Sequence, residues 1–250
     1  MPRLDVLLAR NLGCSRTAAA TLIRDGRVRD AGGHVLDARR AEIAATTPPA
    51  VVILDDEREL ALYDAFHALL NKPLGVVTAL RDERHPTAFA LMQDAPLAGE
   101  LRAVGRLDLD TSGLLLWTTD GQWVQRLTHP KRQVPRTYQA ALARPARALP
   151  PDLTLEDGHR PTIRALEPIE RAAAHPALAV PAEASSLAQI TVVGGAYHEV
   201  RRIFAALGSH VLGLCRVAFG RLALPRELAA GAYVGVDLEQ VSPSQGLPPP

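Results

Sequence analysis

Five short apolar runs dominate the chain after residue 62, and none has the length that a core helix needs. They predict strands over Ala65–Leu70, Gly75–Ala79, Gly113–Thr118, Thr137–Leu142 and Leu187–Val193. Only three stretches between and beyond them carry helical patterning: Thr87–Met92, Gln122–Thr128 and Tyr197–Leu207. Many strands with helices interspersed irregularly predict an α+β domain with a mixed sheet, not a doubly wound parallel one. With 250 residues, 47% of them hydrophobic, the chain can bury a substantial core. Disordered, collagen-like and disulfide-scaffold classes are thereby excluded.

The chain divides unevenly. Residues 1–45 read as a small helical unit with a strand appendage. Leu4, Leu7 and Leu8 recur at helical spacing, Gly13 ends that helix, and Ser15 is a good N-cap for a second helix over Arg16–Asp25. Residues 46–62, with Pro48-Pro49 and the acidic cluster Asp55, Asp56, Glu57 and Glu59, read as a linker in which Val51–Leu54 is a candidate short strand. The main domain is expected over residues 63–240, with an Ala/Pro-rich insertion loop at 170–188 and a disordered tail at 241–250. Residues 1–40 hold eight arginines against four aspartates, the electrostatic footprint of a polyphosphate partner. The bland alternative is an arginine-rich composition, since the whole chain has only two lysines. Arg16, Arg24 and Arg27 crowd the second helix and the turn behind it, where they can lie against a phosphate backbone. Cys14 and Cys215 match no metal-ligand spacing, so a reducing compartment and no zinc site are expected. Asp5 interrupts the N-terminal apolar residues and no run approaches about 18, so a soluble cytoplasmic protein with no membrane partner is expected.

The most specific stretch is Gly105-Arg106-Leu107-Asp108-Leu109-Asp110-Thr111-Ser112-Gly113, followed by three leucines. Two carboxylates two residues apart project from one side if the backbone is extended. A polar turn feeding a buried strand is a common mount for active-site groups, although Asp and Ser in such a turn also serve purely local hydrogen bonding.

This stretch, with Thr118-Thr119-Asp120-Gly121-Gln122-Trp123 behind it, resembles the signature of the RsuA/RluB branch of pseudouridine synthases. Four further segments are similar to that family in the same order along the chain. They are an N-terminal Arg3-Leu4-Asp5 to Gly26-Arg27-Val28 pattern, like the RNA-binding module of small-subunit ribosomal protein S-four, then Leu70-Asn71-Lys72-Pro73, Arg136-Thr137-Tyr138, and the run from Gly195 to Gly208. The small-subunit side of the family is the nearer match. The resemblance implies a pseudouridine-synthase fold with a mixed, mainly antiparallel sheet, a small N-terminal helical RNA-binding module, and a monomer acting on ribosomal RNA, either 16S rRNA or a small-subunit assembly particle.

The implied reaction breaks the C1′–N1 bond of a uridine, rotates the uracil and rejoins it through C5, with no cofactor and no metal. It needs an ionised carboxylate beside the anomeric carbon, where positive charge develops. By resemblance that group is Asp108, acting either as nucleophile at C1′ or as base on the ribose. Arg201 is expected to hold Asp108 charged, and Tyr138 to stack on the uracil of a flipped-out nucleotide. Arg106 is expected to engage RNA, Lys72 to hold a phosphate or the turn of its motif, and Asp110 to buttress the loop. Glu199 stands where the family usually has Gln, so it either competes for Arg201 or points away. Three other readings stay open: a 23S rRNA enzyme of the same family, a ribosome-assembly factor that binds RNA without catalysis, and a glycosyltransferase using Asp108 and Asp110 on a divalent ion.

Overall fold

The computed structural model describes residues 3–36, 49–55 and 57–241, in two compact units. The first comprises Met1–Phe66 with Gln93–Leu101. It opens with α1 (Leu4–Leu12) and α2 (Arg16–Arg24). Leu4, Leu7 and Leu8 are fully buried, as their spacing requires, and Gly13 ends α1 in the left-handed conformation at φ 64°. The Ser15 hydroxyl accepts the Ala18 N–H at 3.1 Å and caps α2. Then come β1 (Val28–Asp30), β2 (Ala50–Leu54) and β3 (Arg58–Leu62), an antiparallel sheet in that order. Residues 50–62 are therefore a hairpin and not the linker their prolines and acids suggested. Val52, Leu54 and Leu62 turn inward onto Leu4, Leu8 and Ile23, while Asp55, Glu57 and Glu59 decorate its exposed rim. Residues 37–48 and the tail beyond residue 241 lie outside the described residues.

The second unit, His67–Met92 with Arg102–Pro250, is built on one nine-stranded sheet. Its strands are β4 (His67–Lys72), β5 (Arg102–Val104), β6 (Thr111–Thr118), β7 (Pro135–Leu142), β8 (Thr162–Pro168), β9 (Ser186–Val193), β10 (Val211–Phe219), β11 (Leu222–Ala223) and β12 (Tyr233–Gly235). The main path runs β12-β4-β6-β10-β7-β9-β8, with β5 on β6 and β11 on β10. Only β6 and β10 pair in parallel; every other pairing is antiparallel. The fold is α+β with the mixed, mainly antiparallel sheet that was expected. All eight residues of β6 are buried.

Two helices cover this sheet. In α3 (Gly121–Thr128) Trp123 and Leu127 pack onto Leu69, Leu114 and Leu116, and Asp120 caps the helix by accepting the Gln122 N–H at 2.8 Å. In α4 (Glu199–Ala206) Val200, Ile203 and Phe204, followed by Leu207, meet Ala140, Ile190, Val192 and Leu214. Each of the four helix side chains contributes about 1.5–3 kcal/mol by leaving water, which fixes where the first turn of α4 stands. Two expected elements differ. The 75–79 run makes a single bridge, Val77 to Thr87, instead of a ladder, and the 87–92 segment has only a 3-10 turn at Ala90–Met92. The 170–188 segment is not a loose insertion: Leu178 and His175 are buried, and the His175 N–H donates to the Gln139 side chain at 2.7 Å.

Candidate active site

The 105–110 loop is pinned before it enters β6. Gly105 takes φ 75°; the Thr78 hydroxyl accepts the Leu107 N–H at 3.0 Å and lies 2.9 Å from the Leu107 carbonyl. The Gly75 N–H donates to the Leu109 carbonyl at 2.9 Å, and the Thr111 N–H to the Asp108 carbonyl at 3.1 Å. That last bond closes a turn, so the backbone at 108–110 is not extended and the two carboxylates do not stand side by side. Asp108 lines a cavity of about 890 Å³. Asp110 instead meets Arg201, Nη2 to Oδ2 at 2.9 Å.

This corrects the expected ion pair. Arg201 does not grip Asp108; its Nη2 also donates to the Asp110 carbonyl at 3.1 Å, and its Nη1 to the Val211 carbonyl at 3.2 Å. Arg201 therefore ties the motif turn to the start of β10. Asp108 stands beside His198, whose Nε2 lies 3.7 Å from Oδ2. His198 holds the left-handed conformation at φ 50°, immediately before α4, and stacks on Tyr197 with ring centroids 3.9 Å apart. A non-glycine residue there is uncommon and is often found where a site imposes it. Glu199 points away from Arg201: its carboxylate is buried and lies 2.8 Å from His159 Nε2.

Of the two roles expected of Lys72, the turn holds and the phosphate does not. It is fully buried, and its ammonium donates to the Pro73 and Val76 carbonyls at 2.8 and 2.7 Å. It holds the turn of its motif and is out of reach of a phosphate. Burial pushes its pKa down to about 8, against the opposing pull of Asp108 and Asp110.

Tyr138 reaches the cavity from β7, with Arg136 two residues before it, and Arg106 from the motif loop, exposed. Arg216 of β10 and His198, Glu199 and Arg201 complete the wall. In the first unit, Arg16, Arg24 and Arg27 are exposed, and each meets an aspartate: Asp5 at 3.3 Å, Asp25 at 3.0 Å and Asp55 at 2.5 Å. The Arg24 and Arg27 pairs are exposed on both sides and therefore weak, whereas Asp5 is buried and is also held by Arg3.

The sequence reading missed His198, His159, Arg136 and Arg216 as site residues. A readable signal existed for Arg216, a lone charge inside the apolar run Leu212–Phe219. His198 lies inside the Gly195–Gly208 run, but nothing in that run gives the backbone angle or the contact that brings it beside Asp108.

The family model for RNA pseudouridylate synthase matches residues 67–206, from the first residue of β4 to the last of α4. The chain is 34% identical over 241 residues to ribosomal small subunit pseudouridine synthase A of Escherichia coli strain K12, covering 96% of this chain and 98% of that one. It is 33% identical over 240 residues to the protein of that name from Haemophilus influenzae, covering 92% and 94%. A crystal structure of a pseudouridylate synthase superposes with a TM-score of 0.56 at 30% identity, covering 96% of this chain and 98% of that one. The chain thus belongs to the RNA pseudouridylate synthase family, on its RsuA-type branch, and is a pseudouridine synthase, an isomerase.

Proposed function

We propose that this protein converts a specific uridine of 16S ribosomal RNA to pseudouridine, with Asp108 as the essential carboxylate. The observation that carries the reading is the convergence of Asp108 from the motif loop, Tyr138 from β7 and His198 from the α4 cap on one cavity. The small-subunit assignment draws on the relatives named above. In the reaction the C1′–N1 bond breaks beside Asp108, the uracil turns against Tyr138, and C5 bonds to C1′ as its proton leaves. No electrons are gained or lost overall, so the reading calls for no redox partner.

Arg201 acts here as a positioning residue. By bridging Asp110 and the Val211 carbonyl it fixes the turn from which Asp108 projects. Arg106 engages the RNA at the mouth of the cavity. The N-terminal unit, with Arg16, Arg24 and Arg27, holds flanking RNA as the S-four-like module does. The protein works as a monomer in the cytoplasm, on 16S rRNA or a small-subunit assembly particle; no helix among the described residues is long and apolar enough to cross a membrane.

The test is tritium release from C5-labelled uridine in unmodified 16S rRNA. Wild type is expected to release one tritium per transcript, and Asp108→Asn none. Equal release by both proteins refutes the role of Asp108. Release only from 23S rRNA refutes the choice of substrate.

A further inference from the structure

One buried charge in the cavity has no task in that reading. Arg216 lies within β10, 1% exposed, beyond the residues that the family model matches. Removing a guanidinium from water is costly unless its N–H groups find acceptors. Nε donates to the Leu114 carbonyl at 2.7 Å, but Nη2 is buried with no hydrogen-bond partner. Among the described residues no carboxylate pairs with it. Arg136 shares its surroundings: the two guanidinium carbons stand 5.1 and 5.2 Å from the Phe219 ring. Burial lowers the pKa of Arg136, and the charge of Arg216 lowers it further. Arg136 and Arg216 thus make a positive wall beside the cavity; Nη2 of Arg216 is itself buried, so an acceptor carrying negative charge meets it once the side chain turns toward the cavity.

The strand register says which acceptor. Arg216 is opposite Tyr138 on β7 and Gly113 on β6, and lines the same cavity as Asp108. When C1′–N1 breaks, the electron pair leaves on N1 and spreads onto O2 and, through C5=C6, onto O4. We propose that Arg216 is a catalytic residue whose Nη2 donates to a carbonyl oxygen of the detached uracil and stabilises it as the anion while it turns over. The pair returns from C5 to C1′ as the new bond forms, the C5 proton leaves to solvent or a cavity base, and N1 takes up one proton in its place, so the product is neutral and isomeric with the uridine. This rests on the reading that the Asp108 cavity performs the isomerisation. A backbone phosphate at the same donor is the competing occupant.

The experiment uses the full chain, unmodified 16S rRNA transcripts, and the variants Arg216→Met, Arg216→Gln and Arg216→Lys. Fold is checked by thermal unfolding, RNA affinity by titration at two salt concentrations, and chemistry by single-turnover tritium release at saturating enzyme. Loss of one donor to a developing oxyanion slows reaction by about 10²–10³-fold. That loss is expected for the methionine and glutamine variants, with RNA affinity within about threefold of wild type and an unchanged salt dependence. Lysine, which keeps the charge, should fall between. Should methionine fail to fold, glutamine carries the same criterion.

A second arm uses 5-fluorouridine transcripts, whose base anion is intrinsically more stable. Loss of Arg216 should slow consumption of the target fluorouridine at least tenfold less than it slows uridine. Equal slowing of both substrates, a rate within threefold of wild type, or a drop in affinity with a shallower salt slope each overturns the proposal, the last in favour of the phosphate. Failure of wild type itself to release tritium would instead sink the functional reading.

Discussion

Gly113 joins the fold to the site at one atom. Its φ is 101°, and a Cβ there would lie 2.3 Å from the Arg216 carbonyl oxygen, 2.8 Å from Cys215 Sγ and 2.9 Å from the Arg216 nitrogen. Carbon contacts ordinarily begin near 3.5 Å, and two of these three atoms are backbone. An alanine therefore displaces β10 by roughly 1 Å from β6 or rotates its own peptide. Strained positive-φ backbone costs about 1–3 kcal/mol, and overpacking in a close-packed interior about 1–3 kcal/mol more. Gly113→Ala should thus remove about 2–6 kcal/mol from a total of order 5–15. At a urea m-value of about 2–3 kcal/mol/M the unfolding midpoint falls by at least about 0.7 M. Because the displaced strand carries Arg216, tritium release should fall with it. The control is Gly121→Ala at the start of α3, where a Cβ meets nothing within 4 Å and φ is not in the left-handed range. There stability should hold or rise by up to about 1 kcal/mol. A Gly113→Ala protein with a stability within about 1 kcal/mol of wild type would refute the close-approach argument.

Two further outcomes follow from charges. Lys72 has a folded pKa of about 8 against an ordinary 10.5, so between those values the unfolded chain holds a proton that the folded chain lacks. Stability contributed at this site therefore rises with pH across that window, by about 3 kcal/mol, and is lowest below pH 8. Urea unfolding of wild type and Lys72→Met at several pH values should show this rise only in wild type; parallel curves would refute it. Arg24→Ala and Arg27→Ala should each weaken 16S rRNA binding and reduce the slope of log affinity against log salt by about 0.7–0.9 for every phosphate the side chain had neutralised. Unchanged slopes would remove these arginines from the RNA interface.

Much of the fold was readable because local signals agreed. Ser15 before α2, Gly13 after α1, and the Val200–Leu207 stripe each state one element and one buried face. The misreadings have physical causes. The 46–62 stretch carries prolines and acids, but its inward residues Val52, Leu54 and Leu62 are enough to build a hairpin, with Asp55 at φ 52° in the turn. The run at 75–79 has strand-like composition, yet Thr78 spends its hydroxyl on Leu107 and Val77 makes only one bridge. β10 escaped notice because Gly213 and Arg216 interrupt its apolar pattern, and its pairing with β7 shifts register twice.

The site was legible by residue type and illegible by partner. Asp108, Tyr138 and Arg201 line one cavity. Spacing along the chain cannot say which of two aspartates an arginine on a distant helix will meet, because a single turn decides it. Here the bond from the Thr111 N–H to the Asp108 carbonyl swings Asp110 toward Arg201 and leaves Asp108 facing the cavity beside His198. The cations then divide by what they hold. Lys72 holds the turn at 73–76 and Arg201 the turn at Asp110, while Arg136 and Arg216 lie over one phenylalanine, Arg216 with its Nε on the Leu114 carbonyl. For the role proposed for Asp108, the lack of a tight bidentate partner matters, since such a partner would occupy the oxygens that the proposed reaction uses. Holding the turn through its neighbour keeps Asp108 in place and its oxygens free.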